Sequence, residues 1–279
     1  MLFKQWNELS TPRHELDYPI LSSKEESLQS LPLPIVELPS DLNLNNYETL
    51  YITTKVMHPL FPKKFLQLKD IGSIKMSLTF EENNNGNECK YSWNFNENFP
   101  NEFDPAPKSE NNEEIRKSFS FEFPIMHIPN NNSLLISIDE NFLKLSPIFD
   151  NILAKKLSSI LNDKMKTLII GTSDKIMNTK NISKEYCDLN PPEFVSGFIG
   201  ALISDIIAEQ STSNFESIII PSEGPTGFEK ISLETMNELV HIFMDQWNES
   251  IDKKKYYEEC NRFWRFDGSA MSTQSGLYI

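Results

Sequence analysis

The sequence predicts an α/β fold with a layered central sheet, a β-rich N-terminal half and a flexible C-terminal tail. Three observations point there. Up to Ile138 the apolar residues recur mostly at a period of two, the period of strands. Beyond Ser146 the period becomes helical. That helical half is interrupted by two short apolar runs, Thr167–Ile170 and Ser217–Ile220. Strands of that kind, flanked by helices, must be covered on both faces, which is the pattern of a layered α/β sheet.

The segment 1–42 carries no core of its own. Leu2, Phe3, Trp6 and Leu9 space one short amphipathic turn, and Pro12, Pro19, Pro32, Pro34 and Pro39 then hold the chain extended among scattered charges. A single α/β domain is expected over 43–266. Its first strand is Leu50–Met57, β-branched and alternating, ended by His58-Pro59 and Phe61-Pro62. Ser73–Phe80 alternates as a second strand, and Lys90–Phe95 reads as a hairpin partner. Loop inserts fall near 81–89, rich in asparagine, and near 96–117, acidic and proline-containing. Ser118–Phe123 and Leu134–Ile138 complete a half that reads as largely antiparallel.

In the second half Ser146 and Pro147 open a helix with Ile148, Ile152, Leu157, Ile160 and Leu161 on one side. Thr167–Ile170, ending at Gly171, reads as a central parallel strand. Pro191-Pro192 precede a helix over Glu193–Glu209, apolar around nearly its whole circumference and therefore expected to be buried on most sides. Within it Gly197, Ala201, Ser204 and Ala208 form a small-residue stripe that admits close approach of another element. Ser217–Ile220 ends at Pro221. Ser232 caps a helix over Leu233–Asn248 with Met236, Leu239, Val240, Phe243 and Trp247 on one side. Lys253–Phe266 is a last, aromatic helix holding Tyr256, Phe263 and Trp264, and 267–279 is the tail.

A formal net charge of −14 argues against nucleic acid or an anionic membrane as partner. The most apolar stretch, Phe194–Ala208, contains Asp205 and is too short to span a bilayer. Three cysteines, Cys89, Cys187 and Cys260, lie far apart, as in a reducing compartment. The start MLFKQWNELS lacks signal-peptide character. The expectation is a cytoplasmic protein, with the nucleus as a second compartment.

The sequence predicts no catalytic residue, metal site or cofactor site. Gly171–Lys175 follows a strand but lacks the spacing that rings a phosphate with backbone amides. Ser222-Glu223-Gly224 lacks the nucleophile elbow. His14, His58, His127 and His241 are isolated, and no CxxC or HxxxH spacing occurs. Asp139 and Glu140 are adjacent, so in a strand they would face opposite ways. The loop Pro221–Lys230, with two glycines and two prolines, lies with Gly171–Lys175 at the ends of the expected parallel strands, where α/β folds place ligands. A structural turn is the favoured reading there and a ligand cleft the alternative. The chain ends differently. A small, polar lead from Ser269 carries Leu277, Tyr278 and Ile279 with a terminal carboxylate, a peptide suited to a pocket that captures a C-terminus.

Eight stretches together resemble the proteasome assembly chaperone family: MLFKQWN, ITTKVMHPLFPKKFLQL, SWNFNENFPNE, IIGTSDKI, PPEFVSGFIG, PSEGPTGFEK, RFWRFD and QSGLYI. The resemblance covers most of the chain and fades in about Thr11–Ile35, Glu81–Glu88 and Pro105–Lys117. It implies an α/β sandwich and a non-catalytic chaperone that forms a heterodimer with a second, related chaperone. It further implies that the heterodimer binds the α-ring of 20S core-particle precursors, favours correct assembly and blocks premature binding of regulators. The hydrophobic-Tyr-X ending is similar to tails that dock on the proteasome ring. There Leu277 would fill a hydrophobic contact, Tyr278 would pack in the pocket and Ile279 would offer its carboxylate to a lysine between two α subunits. Two other readings stay open. One is a phosphorylase-like α/β enzyme with a cleft near 171–175 and 221–230, against which the missing catalytic constellation counts. The other is an activator of mature core particles using the same tail, against which the lack of a ring-forming repeat counts.

Overall fold

The computed structural model describes residues 33–40, 42–79, 118–139, 148–209, 214–224, 229–247 and 251–266. All but Leu33 belong to the unit Pro34–Ile279. The expected hairpin strand Lys90–Phe95, the loop inserts, the cap at Ser146-Pro147, the tail 267–279 and most of 1–42 lie outside the described residues.

Among the described residues eight strands form one mixed sheet: β1 (Ile35–Glu37), β2 (Thr49–Thr54), β3 (Lys69–Thr79), β4 (Ser118–Ile128), β5 (Ser133–Ile138), β6 (Lys166–Ser173), β7 (Lys180–Ser183) and β8 (Phe215–Pro221). Their spatial order is β1-β3-β4-β5-β2-β6-β8-β7. The run β1-β3-β4-β5 is antiparallel, as the alternating first half leads one to expect. The exception is β2, which lies in the middle of the sheet, parallel to β5 on one side and to β6 on the other. Its residues Leu50 to Thr54 are all buried, so Thr53 and Thr54 mark a strand covered on both faces rather than a solvent face. The strand also stops at Thr54. Lys55–Leu60 turns into a 3-10 helix around Pro59, where Val56, Met57 and Leu60 are buried and mimic a continuing strand.

Other boundaries move for local reasons. The strand expected over Ser118–Phe123 continues through Pro124 to Ile128. Pro124 pairs with Ser73, next to the register shift between Asp70 and Gly72 on β3, and a proline is tolerated where the ladder is already interrupted. At that bulge Gly72 takes φ +153 and its N–H donates to Asp70 Oδ1 at 3.0 Å. β6 runs through Gly171 to Ser173, buried from Thr167 onward. The sheet edges are the short strands β1 and β7, neither of which stands out in the sequence. β1 falls inside the segment expected to stay extended, and β7 pairs antiparallel with β8.

Helices α1 (Ile148–Ser158) and α2 (Gly197–Ala208) cover one face, and α3 (Leu233–Gln246) and α4 (Lys253–Phe266) cover the other. The result is a layered α/β sandwich. Along β2, Leu50 and Ile52 enter the core under α1 and α2 while Tyr51 enters the core under α3 and α4, as a side-chain period of two requires. On α3 the buried residues are the expected Met236, Leu239, Val240 and Phe243, with Trp247 just beyond, and Ser232 accepts from the N–H of Thr235 at 3.1 Å. α4 has the expected bounds and buries Tyr256, Cys260 and Trp264 completely.

The other two helices differ from expectation. α1 buries Phe149, Leu153, Ala154 and Leu157, while Ile148 is 39% exposed, so its inner face is turned from the one that Ile148 and Ile152 suggest. α2 begins at Gly197, not Glu193. Gly197 has φ +70, and a Cβ on Gly200 would stand 2.3 Å from the carbonyl oxygen of Val195. The residues before the helix therefore fold back over its first turn. α2 buries one face, Phe198, Ile199, Leu202, Ile203 and Ile206, whereas Ser204, Ile207 and Ala208 are exposed. Burial on most sides does not occur. The small-residue stripe looks away from the sheet, into an open groove beside α1.

Candidate functional site

The carboxyl ends of β2, β6 and β8 converge on one polar pocket. Thr54 closes β2, Thr172 and Ser173 close β6, and Ser222 and Glu229 come from the segment after β8. Ser196, the N-cap residue of α2, lines it too, with Asp174, Ile199 and Gly224. The parallel register of β6 and β8 sets Ser173 against Pro221, and the N–H of Ser222 donates to the carbonyl of Ser173 at 3.0 Å. Glu223 and Lys230 exchange both backbone hydrogen bonds, at 2.8 and 2.7 Å, and so pinch the 221–230 loop. The two loops that stand apart in the sequence thus meet at one place, where parallel strands of an α/β sheet end.

The chemistry of this pocket is limited. Ser173 Oγ donates to the carbonyl of Phe194 at 2.7 Å and accepts from the N–H of Lys175 at 3.1 Å. Thr172 Oγ1 donates to Glu229 Oε1 at 3.4 Å, and Lys175 Nζ pairs with Asp174 at 2.7 Å. Thr54 Oγ1 and Ser222 Oγ are buried without a hydrogen-bond partner. No imidazole lines the pocket; its ionisable side chains are Asp174, paired with Lys175, and Glu229, which accepts from Thr172. His58 sits in the 3-10 segment, His127 on β4, and His241 on α3 with its ring 5.6 Å from that of Tyr257. Among the described residues no group of three or more His, Cys, Asp or Glu is placed to hold a metal ion. The pocket's hydroxyls and carboxylates can hydrogen-bond a small polar group.

The wall leading to Ser196 is pinned by an ion pair. Lys180 on β7 meets Glu193 at 2.9 Å, both side chains largely shielded, and Glu193 also accepts from the N–H of Asn190 at 2.9 Å. The Asn190 N–H first, and Lys180 second, hold the Glu193 carboxyl below its usual range, while the hydrogen bond to Glu193 raises Lys180. On the opposite face of the sheet, burial pushes the Cys260 thiol up to about 12, so this cysteine is a packing residue and not a reactive one.

Leu277, Tyr278 and Ile279 lie outside the described residues. Of the pocket residues, Thr54, Ser196 and Ile199 lie outside the two loops that the sequence marks, whereas Glu229 lies within the 221–230 loop. Glu229 is buried where Glu223 and Lys230 bridge the two ends of that loop.

The architecture defines the class of protein: a layered α/β sandwich with a mixed sheet and a polar pocket at the ends of its parallel strands. Within that class, the chain belongs to the POC1 chaperone family, a family of proteasome assembly chaperones, whose sequence model matches residues 1–279. The resemblance carried by the eight stretches therefore holds. The chain is 45% identical over 282 residues to Proteasome chaperone 1 of Saccharomyces cerevisiae, with 100% of each chain covered. Among solved structures it is similar to Pyrococcus furiosus PbaA, an archaeal homolog of proteasome-assembly chaperone (TM-score 0.45, 12% identity, 88% of this chain and 100% of that one). It is also similar to a Thermoplasma acidophilum protein of unknown function (TM-score 0.43, 10% identity, 84% and 90%). No helix among the described residues is long and apolar enough to cross a membrane.

Proposed function

We propose that this chain is one half of a heterodimeric chaperone that binds the α-ring of 20S core-particle precursors through Leu277, Tyr278 and Ile279. The observation that carries the reading is the likeness to a proteasome chaperone over the whole length of both chains. The role is one of binding, without a chemical step. Residues 43–266 form the body that meets the partner chaperone and the ring, and 267–279 form the docking tail. Asp267 to Gly276 can reach at most ~35 Å when extended, enough to bring the tip into a pocket away from the body. Docking buries Leu277 and the Tyr278 ring, each contributing about 1–3 kcal/mol as apolar area leaves water. The terminal carboxylate adds a charge-assisted contact to a lysine. Ordering the lead opposes these gains, so the tail binds weakly alone and the body shares the work. A tail seated between α subunits occupies ground that a regulator needs, which is how the chaperone blocks premature regulator binding. The cytoplasm and the nucleus are the proposed setting.

The test compares binding of three forms to purified precursors: wild type, a form lacking 277–279, and a form extended by one residue after Ile279. Both altered forms are expected to bind more weakly with unchanged melting temperature. Equal affinity for all three removes the tail from the mechanism. Binding to finished core particles in preference to precursors makes the chain an activator instead.

A further inference from the structure

The helical layer of α1 and α2 carries an open groove on its solvent side. Asp150 and Lys155 line it from α1, and Gly197, Ala201, Ser204 and Ala208 line it from α2. The four α2 residues recur at helical spacing on one face, and none has a side chain longer than a hydroxymethyl group. A second backbone can therefore lie close against α2 here. At one side of the groove stands Asp150, 6% exposed, its Oδ1 buried without a hydrogen-bond partner. A carboxylate shielded in this way is costly until a cation reaches it.

We propose that this groove seats a segment of the partner chaperone that brings a lysine or arginine to Asp150. The proposal rests on the heterodimer reading above and names the surface and the contact which that reading leaves open. The occupant is a different chain, not a second copy. Each copy carries a net charge of −14, so self-pairing sets like charge against like. The charged groups on the elements around Asp150 are Lys155 and Lys156 on α1, Asp205 on α2 and Glu37 on β1. Of these, Lys155 and Asp205 line the groove, and Asp205 already accepts a hydrogen bond from the hydroxyl of Ser158. Two acids therefore face the groove against one lysine, the balance that an incoming cation complements.

The contact is linked to protons. Burial pushes the Asp150 carboxyl up to about 7 in the free chain. It must be ionised to pair with a cation, so association releases a proton below neutrality, and affinity rises about tenfold from pH 6 to pH 8.

The full chain is titrated calorimetrically with the purified second chaperone. Ala201→Trp and Ser204→Arg, which fill the groove, are expected to lose at least tenfold in affinity. Ile242→Trp, on α3 across the sheet, is expected to bind as wild type does. Asp150→Asn is expected to flatten the pH profile. Wild-type affinity in both groove variants overturns the groove as the seat, and Ser204 is exposed enough that its variant folds even if Ala201→Trp does not. A pH profile unchanged by Asp150→Asn overturns the Asp150 contact. Self-association of the chain alone that Ser204→Arg abolishes makes the occupant a second copy. A wild type that does not bind the second chaperone removes the heterodimer reading itself, an outcome separate from the others.

Discussion

The hydroxyl of Tyr256 on α4 donates to the carbonyl oxygen of Leu60 at 2.8 Å, joining two residues 196 positions apart in the chain. Both are fully buried, and the bond ties the last described helix to the 3-10 segment that follows the central strand β2. Trp247 stacks edge-on against the same tyrosine ring, with centroids 5.7 Å apart. Tyr256→Phe keeps the ring and leaves the Leu60 carbonyl buried and unpaired. The expected cost is about 1–3 kcal/mol, read from the denaturant midpoint of unfolding. An unchanged midpoint would mean that the bond adds nothing beyond the packing of the ring.

A second close relationship lies beside the polar pocket. A Cβ on Gly171 of β6 would stand 2.7 Å from Cγ2 of Ile199 and 3.1 Å from its Cβ. The near end of the isoleucine blocks it, so rotation of the side chain gives little relief. Gly171→Ala is expected to destabilise the chain by about 1–3 kcal/mol through overpacking. Combining it with Ile199→Ala should cost less than the sum of the two single changes, because the second removes the clash created by the first. Strict additivity in a double-mutant cycle would place the strain elsewhere.

Asp150 makes stability depend on pH in a defined direction. Its carboxyl titrates near 7 when folded and near its ordinary value of 3.8 when unfolded. Between those values the folded chain holds a proton that the unfolded chain has lost, so this group's contribution falls as pH rises from about 4 to 7 and is level above. Asp150→Asn removes the effect. The variant is expected to gain stability over wild type as pH rises, by roughly 2–4 kcal/mol at pH 8, with no gain near pH 4. Thermal unfolding of the two proteins across that range gives the difference, and a constant gap would show that Asp150 is ionised throughout.

The cysteines should separate by reactivity. Cys187 is exposed, while Cys260 is fully buried on α4 and its thiol is held protonated by burial. Brief treatment of the native chain with iodoacetamide, followed by peptide mass spectrometry, should label Cys187 and spare Cys260. Labelling of Cys260 at a comparable rate would mean that α4 opens readily from the sheet.

What the sequence alone determined is what a local period or a contiguous motif can carry. Met236, Leu239, Val240 and Phe243 identify the inner face of α3 because the helix repeat is set by neighbours three and four apart. Thr167–Ile170 reads as a central strand because a run apolar on both faces has to be covered on both. The family likewise follows from unbroken stretches such as PSEGPTGFEK. The tertiary structure decided what depends on residues far apart in the chain. β2 reads as one more strand of an antiparallel half, yet pairing with β5 and β6 makes it the parallel centre of the sheet. Thr54, Ser173, Ser222 and Glu229 come from three separate segments, and strand order alone brings them to one pocket. Asp150 reads as an ordinary acid in the first turn of a helix. Its burial beside α2 turns it into a carboxyl poised near neutrality, because desolvation is set by whatever packs against a group and not by its neighbours in sequence.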